Sequence, residues 1–181
     1  MSPDRHIRNL AVIGFMATGK STVGRLVARE LRFDFVDTDA LIESRLRRPI
    51  RAVFETEGEA WFRDYERTLV IELAGYDKTV IATGGGLPVY QDNLEQLKRH
   101  AYVICLWAAP EAIWRRARRH AHRPLLQTAN PLERIEELLA ARGPYYRQAD
   151  MLVETEFRSV NRIVQLITYQ FRSVWNPPTV P

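Results

Sequence analysis

Residues 9–31 constrain the fold more than any other part of the chain. The apolar run Asn9-Leu-Ala-Val-Ile-Gly14 leads directly into Gly14-Phe-Met-Ala-Thr-Gly19-Lys20-Ser21. A stretch with Val23, Leu26, Val27 and Leu31 at helical spacing follows. The middle segment fits G-x-x-x-x-G-K-S/T, which arises by chance in roughly one chain in a hundred of this length. It also lies where its chemistry requires, between a strand and a helix. Glycines let the backbone wrap closely around a phosphate, and the helix N-terminus adds the positive end of its dipole. Gly14, Ala17, Thr18, Gly19, Lys20, Ser21 and Thr22 are the expected nucleotide cradle. Lys20 would reach the β- and γ-phosphates, and the Ser21 hydroxyl would ligate Mg²⁺. The Asn-Lys-x-Asp loop that reads guanine is absent, so ATP is the expected nucleotide.

A chain of 181 residues is expected to fold as one domain. Apolar β-rich runs alternate with amphipathic stretches, the pattern of an α/β fold with a parallel sheet covered by helices. Strands are predicted at 9–14, 33–37, 79–83, 101–107 and 151–154. Helices are predicted at 20–31, across 39–75 with breaks near Arg47–Pro49 and Gly58, at 91–100, from Pro110, at 131–142, around 145–149 and at 159–171. The polar stretch 118–131 reads as a functional loop, and 175–181 as a frayed tail.

No apolar run approaches the roughly 20 residues that cross a bilayer. The first nine residues lack the apolar core of a signal peptide. The single cysteine, Cys105, can form neither an intrachain disulfide nor a cysteine zinc cage. A cytoplasmic protein without membrane partners is therefore expected. The net charge is +4, and among the 26 basic residues only Lys20, Lys78 and Lys98 are lysines. Composition bias and an anionic ligand both account for so much arginine, whose planar fork matches phosphate and carboxylate. The basic residues are spread along the chain, so a nucleic-acid patch is not expected.

Three further segments bear on the acceptor. Asp37-Thr38-Asp39 lies at the carboxyl end of the second predicted strand, the edge at which open α/β sheets bind ligands. One carboxylate there can hold a magnesium shell while the other orients an acceptor hydroxyl; capping of the next helix by Asp39 is a compatible role. Gly84-Gly85-Gly86 follows the third strand at the same edge and suggests a ligand pressed against bare backbone. Arg63 lies within Gly58-Glu-Ala-Trp-Phe-Arg-Asp-Tyr-Glu66, and its spacing alone favours ion pairs with Glu59 or Glu66. Arg147, after Tyr145-Tyr146, is ambiguous in isolation.

The order and wording of these segments resemble the shikimate kinases, over about residues 9–167. The pieces are the phosphate loop running into Ser21-Thr-Val-Gly-Arg25, Asp37-Thr-Asp39, Ile42-Glu43, Gly58-Glu-x-x-Phe-Arg63-x-x-Glu66, Thr83-Gly-Gly-Gly86, Arg123-Pro-Leu-Leu126 and Pro144-Tyr-Tyr-Arg147. The resemblance implies a monomeric kinase of the nucleoside-monophosphate-kinase type, with strand order 2-3-1-4-5. Its domain would span 1–174, with an acceptor-binding helical region at about 39–75 and a lid at about 118–131. The implied reaction is transfer of phosphate from ATP to the 3-hydroxyl of shikimate, on the route to aromatic amino acids. Asp39 would contact the shikimate hydroxyls, and Arg63 and Arg147 would hold the carboxylate beside Gly84, Gly85 and Gly86. Asp37 would help organise magnesium, Arg116 would lie near the nucleotide, and Arg123 would swing over the phosphates. Lys20, Asp39 and Arg123 would be the catalytic group. The chain departs from the family pattern at Ala17 and Arg47, where glycine is usual, at Pro49, and in the basic run Arg118-Arg119-His120-Ala121-His122.

Overall fold

The computed structural model describes residues 5–118 and 128–175. Five parallel strands, β1 (Asn9–Gly14), β2 (Asp34–Asp37), β3 (Thr79–Ala82), β4 (Ala101–Trp107) and β5 (Met151–Glu154), form one sheet in the order β2-β3-β1-β4-β5. This is the predicted class and strand order.

Alternation along the central strands sorts the core onto two faces. Leu10 and Val12 of β1 and Ile104 and Leu106 of β4 face α1 (Lys20–Leu31) and α8 (Val160–Val174), meeting Val23, Val27, Ile163, Ile167 and Phe171. Ala11, Ile13, Val103 and Cys105 face the other way, against α5 (Asn93–His100), α6 (Pro110–Ala117) and α7 (Pro131–Tyr146). A third cluster, around Ile42, Phe62, Leu69 and Leu73, unites α2 (Thr38–Leu46), α3 (Ile50–Thr56) and α4 (Gly58–Leu73). These three helices fill the stretch read as broken helix, with the breaks at residues 47–49 and 57, where they are expected.

Two local differences from the sequence reading have clear causes. The predicted inward face of α1 shifts: Gly24 and Ala28 are buried with Val23 and Val27, while Leu26 and Leu31 are only half-buried. A side chain at Gly24 would stand 2.9 Å from the Phe35 ring, so this glycine lets α1 lie close on β2 and β3. Second, α7 runs unbroken through Gly143-Pro144 to Tyr146, where two separate stretches were predicted. Proline removes one hydrogen bond near the helix end, yet packing of Gly143 and Tyr146, both buried, carries the helix past it.

Candidate active site

Register brings the carboxyl ends of the strands to one edge: Gly14 lies beside Leu106, Asp37 beside Ala82, and Trp107 beside Glu154. There Met16, Ala17, Gly19, Lys20, Ser21, Thr22, Asp37, Asp39, Thr83, Gly85 and Arg116 enclose a cavity of about 430 Å³. Two segments that lie far apart in sequence, the phosphate loop and the Asp37–Asp39 turn, thus face each other as predicted.

The loop is held by its own backbone. Lys20 Nζ donates to the Phe15 carbonyl at 2.9 Å, and the buried Thr18 hydroxyl donates to the same oxygen at 2.8 Å. Thr18 therefore braces the loop from inside instead of facing the cavity. Gly14 has a related task, because a Cβ there would stand 2.3 Å from the Leu106 carbonyl oxygen. Its lack of a side chain serves strand packing. Ala17 lines the cavity but has φ 60°, in the left-handed region that costs an L-residue about 1–2 kcal/mol. Arg47, the other departure from glycine, sits at φ 54° at the end of α2.

The two aspartates divide as follows. Asp37, not Asp39, caps α2: its Oδ1 accepts from the Asp39 N–H at 3.1 Å and the Ala40 N–H at 3.3 Å. Its Oδ2 accepts from the Ser21 hydroxyl at 2.5 Å, joining cap and phosphate loop. Relieved of capping, Asp39 turns into the cavity. Burial, and then the charge of Asp37, raise its carboxyl above the usual range, while Lys20 opposes the shift.

Behind Asp39 lies a second charged group. Arg63 is largely buried, and its guanidinium donates to Glu66 Oε2 at 2.6 Å and to Glu59 Oε1 at 2.9 Å. The pairing predicted from spacing therefore exists, on both sides. Glu66 is 1% exposed and its Oε1 meets no partner among the described residues. Burial pushes its carboxyl up to about 7 against the opposing pull of Arg63. The triple glycine explains the crowding. A Cβ at Gly84 would stand 2.5 Å from Asp39 Oδ1 and 3.1 Å from Glu66 Oε1, and one at Gly86 would stand 2.5 Å from an Arg63 nitrogen. Gly84 donates its N–H to Thr38 Oγ1 at 2.9 Å, which pins the loop to the start of α2.

Arg147 departs from its expected place. It follows the last residue of α7, is exposed, and lies over the Trp107 ring at 5.9 Å. Arg142, which the sequence reading passed over, takes the inner position. It lies over the Phe15 ring at 5.6 Å, and one of its nitrogens is 3.7 Å from the point where a Gly85 Cβ would be. Its charge acts on Glu66 and on the Tyr146 hydroxyl. The reason is helical phase: Arg142 shares a face with buried Leu139 and Tyr146, three and four residues away, whereas Arg147 is rotated off it. That periodicity was available in the sequence. Met16 and Thr83 are further cavity residues that it did not single out.

Arg116 lines the far end of the cavity and is fixed by two bonds to Thr155, at 2.8 Å to the hydroxyl and 2.8 Å to the carbonyl oxygen. Arg123, His120 and His122, with most of the expected lid, lie outside the described residues. Cys105 is buried mid-strand, as expected. Among the described residues no helix is long and apolar enough to cross a membrane.

A phosphate loop facing Asp39 across one cavity, with Arg63 and Arg142 packed against the glycine loop behind it, limits the reading to few enzyme families, and similarity decides among them. The shikimate kinase family model matches residues 16–172. The chain belongs to the shikimate kinase family. The shikimate kinase of Thermodesulfovibrio yellowstonii is 39% identical over 96% of this chain and 100% of its own length. That of Burkholderia lata is 43% identical over 90% of this chain and 89% of its own. Shikimate kinase from Acinetobacter baumannii, solved in complex with shikimate, superposes with TM-score 0.87 at 36% identity, covering 93% of this chain and 94% of that one. A gluconokinase from Sinorhizobium meliloti, at 15% identity and TM-score 0.62, shares the fold alone. The chain is a kinase of this family and has its five-stranded parallel architecture.

Proposed function

We propose that this kinase transfers the γ-phosphoryl group of ATP to the 3-hydroxyl of shikimate, giving shikimate 3-phosphate and ADP. The carrying observation is a phosphate loop facing Asp39 across one cavity, with Arg63 and Arg142, both partly buried, packed against Gly86 and Gly85 of the adjoining glycine loop. Two guanidinium forks suit one small carboxylate, and the geometry favours Arg63 with Arg142 over Arg63 with Arg147 for that role. Gly85 lines the cavity between them and the loop.

Phosphoryl transfer asks mainly for positioning and charge stabilisation. Lys20 and the loop N–H groups would hold the β- and γ-phosphates, with Arg116 at the nucleotide end. Asp39 would accept a hydrogen bond from the acceptor hydroxyl and align it in line with the γ-phosphorus. A carboxyl raised by burial is the better proton acceptor for that hydroxyl. Arg123 would add charge over the phosphates from the lid. Ser21 and Asp37 fit Mg²⁺, a hard cation that takes one or two protein oxygens beside phosphate and water, since their oxygens meet at the cavity wall. The ion would neutralise charge on the phosphates. Residues 1–174 would act as one domain and as a monomer.

A coupled assay of ADP release offering shikimate, quinate, aminoshikimate and gluconate tests this reading. Turnover of shikimate well above gluconate is expected; turnover of gluconate without shikimate would end it. A nucleic-acid-binding protein that kept the fold and lost the activity would instead show tight RNA or DNA binding and no shikimate-dependent ADP release.

A further inference from the structure

The glycine loop that meets the acid pocket has no side chains of its own, so something else must fix its peptide planes. Tyr146, the last residue of α7, reaches it: its ring is 0% exposed, and its hydroxyl donates to the Gly85 carbonyl oxygen at 2.7 Å. A buried phenol needs a partner, but this bond has a defined polarity. Arg142, one turn earlier on the same face, is close enough for its charge to act on the same hydroxyl. A carbonyl oxygen can only accept, so the phenol's proton is directed at Gly85. In a planar trans peptide the carbonyl and the following N–H point in opposite directions. Anchoring the Gly85 carbonyl therefore sets the direction of the Gly86 N–H, and Gly86 is the residue packed on the Arg63 guanidinium.

We propose that Tyr146 is a positioning residue for the acceptor's carboxylate: one hydroxyl locks the Gly85–Gly86 peptide in place, with Arg142 beside Gly85 and Arg63 beside Gly86. Three donor groups from α4, the glycine loop and α7 are thereby preorganised for one small anion. This rests on the reading that the pocket takes an acid, and it adds a residue that touches neither substrate.

The test is Tyr146→Phe in the full chain, with steady-state kinetics in each substrate and a thermal unfolding midpoint. The KM for shikimate is expected to rise roughly ten-fold, the worth of one hydrogen bond in a charged setting. The KM for ATP should stay within about two-fold, and Arg142→Ala combined with Tyr146→Phe should cost less than the two single effects together. A parallel rise of both KM values with a lowered midpoint would mean that the hydroxyl only supports the fold, and would overturn the proposal. An unchanged KM for shikimate would overturn it too. If Tyr146→Phe does not fold, 3-fluorotyrosine at position 146 keeps ring and hydroxyl while making the donor stronger. It should move the KM for shikimate and not that for ATP, and no movement again overturns the proposal. Failure of the wild-type chain to release ADP with shikimate would instead refute the proposed function, independently of Tyr146.

Discussion

On the nucleotide side of the cavity, one uninterrupted stretch from Phe15 to Thr22 supplies loop, lysine and hydroxyl, braced from within by Thr18 and Lys20 on the Phe15 carbonyl, with Ser21 reaching out to Asp37. On the acid side the groups arrive from α2, α4, the glycine loop and α7, and they hold one another: Arg63 on Glu66, Thr38 on Gly84, Tyr146 on Gly85. The first side is a local solution, whose geometry follows from a short motif between a strand and a helix. The second is a tertiary solution, in which each charge keeps its place only while three other elements keep theirs. The two sides should therefore fail differently when they are altered.

The largest effect is expected where they meet. Asp39→Asn should lower kcat about 10²–10⁴-fold while ATP affinity, measured by equilibrium titration, stays near wild type. Near-normal turnover would remove Asp39 from the proposed chemistry.

Next come the arginines. Arg63→Ala and Arg142→Ala should each weaken shikimate binding by roughly 2–5 kcal/mol, as when one partner of a buried charge pair is truncated. Arg147→Ala, at an exposed position over Trp107, should leave the KM for shikimate within a few-fold. A reversed ranking would restore the carboxylate to Arg147 and break the comparison on its acid side.

Here the limits of the sequence are physical. The phosphate loop, the paired aspartates, the triple glycine and the strand order were legible because each is carried by contiguous residues or by a repeating β-α pattern. Arg63 was legible as an ion-paired helix residue, and its spacing to Glu59 and Glu66 proved real. Which arginine of the segment 142–147 turns inward was not read. That depends on α7 continuing through Gly143-Pro144, where local propensity argues for a break and burial of Tyr146 overrides it. The capping role, which falls to Asp37 and not Asp39, is similar: both residues stand within a turn of the helix start, and only the backbone course of Asp37 (φ −104°, ψ 119°) makes it the cap.

A smaller effect concerns pH. Burial raises the Glu66 carboxyl from an ordinary 4.5 to about 7 in the folded chain. Between those values the folded state keeps a proton that the unfolded chain has released. The stabilisation is complete below about 4.5 and is lost as pH rises through about 7. Glu66→Gln cannot titrate, so its unfolding free energy relative to wild type should rise across that window. A constant difference from pH 4.5 to 7 would show that Glu66 is charged throughout.

The smallest effect lies on the nucleotide side. Ala17 at φ 60° should be relieved by Ala17→Gly, with a gain of up to about 1 kcal/mol in unfolding free energy once the added freedom of the unfolded chain is subtracted. A loss of stability would mean that the alanine methyl contributes more by packing than its backbone costs.

The position of the acceptor's carboxylate decides between the two arginine arrangements. A crystal structure of the chain with ADP and shikimate measures that position directly. We predict carboxylate oxygens within about 3 Å of guanidinium nitrogens of both Arg63 and Arg142, with the ring hydroxyls toward Asp39. A carboxylate held by Arg147, or a ring turned so that its hydroxyls point away from the phosphate loop, would contradict it.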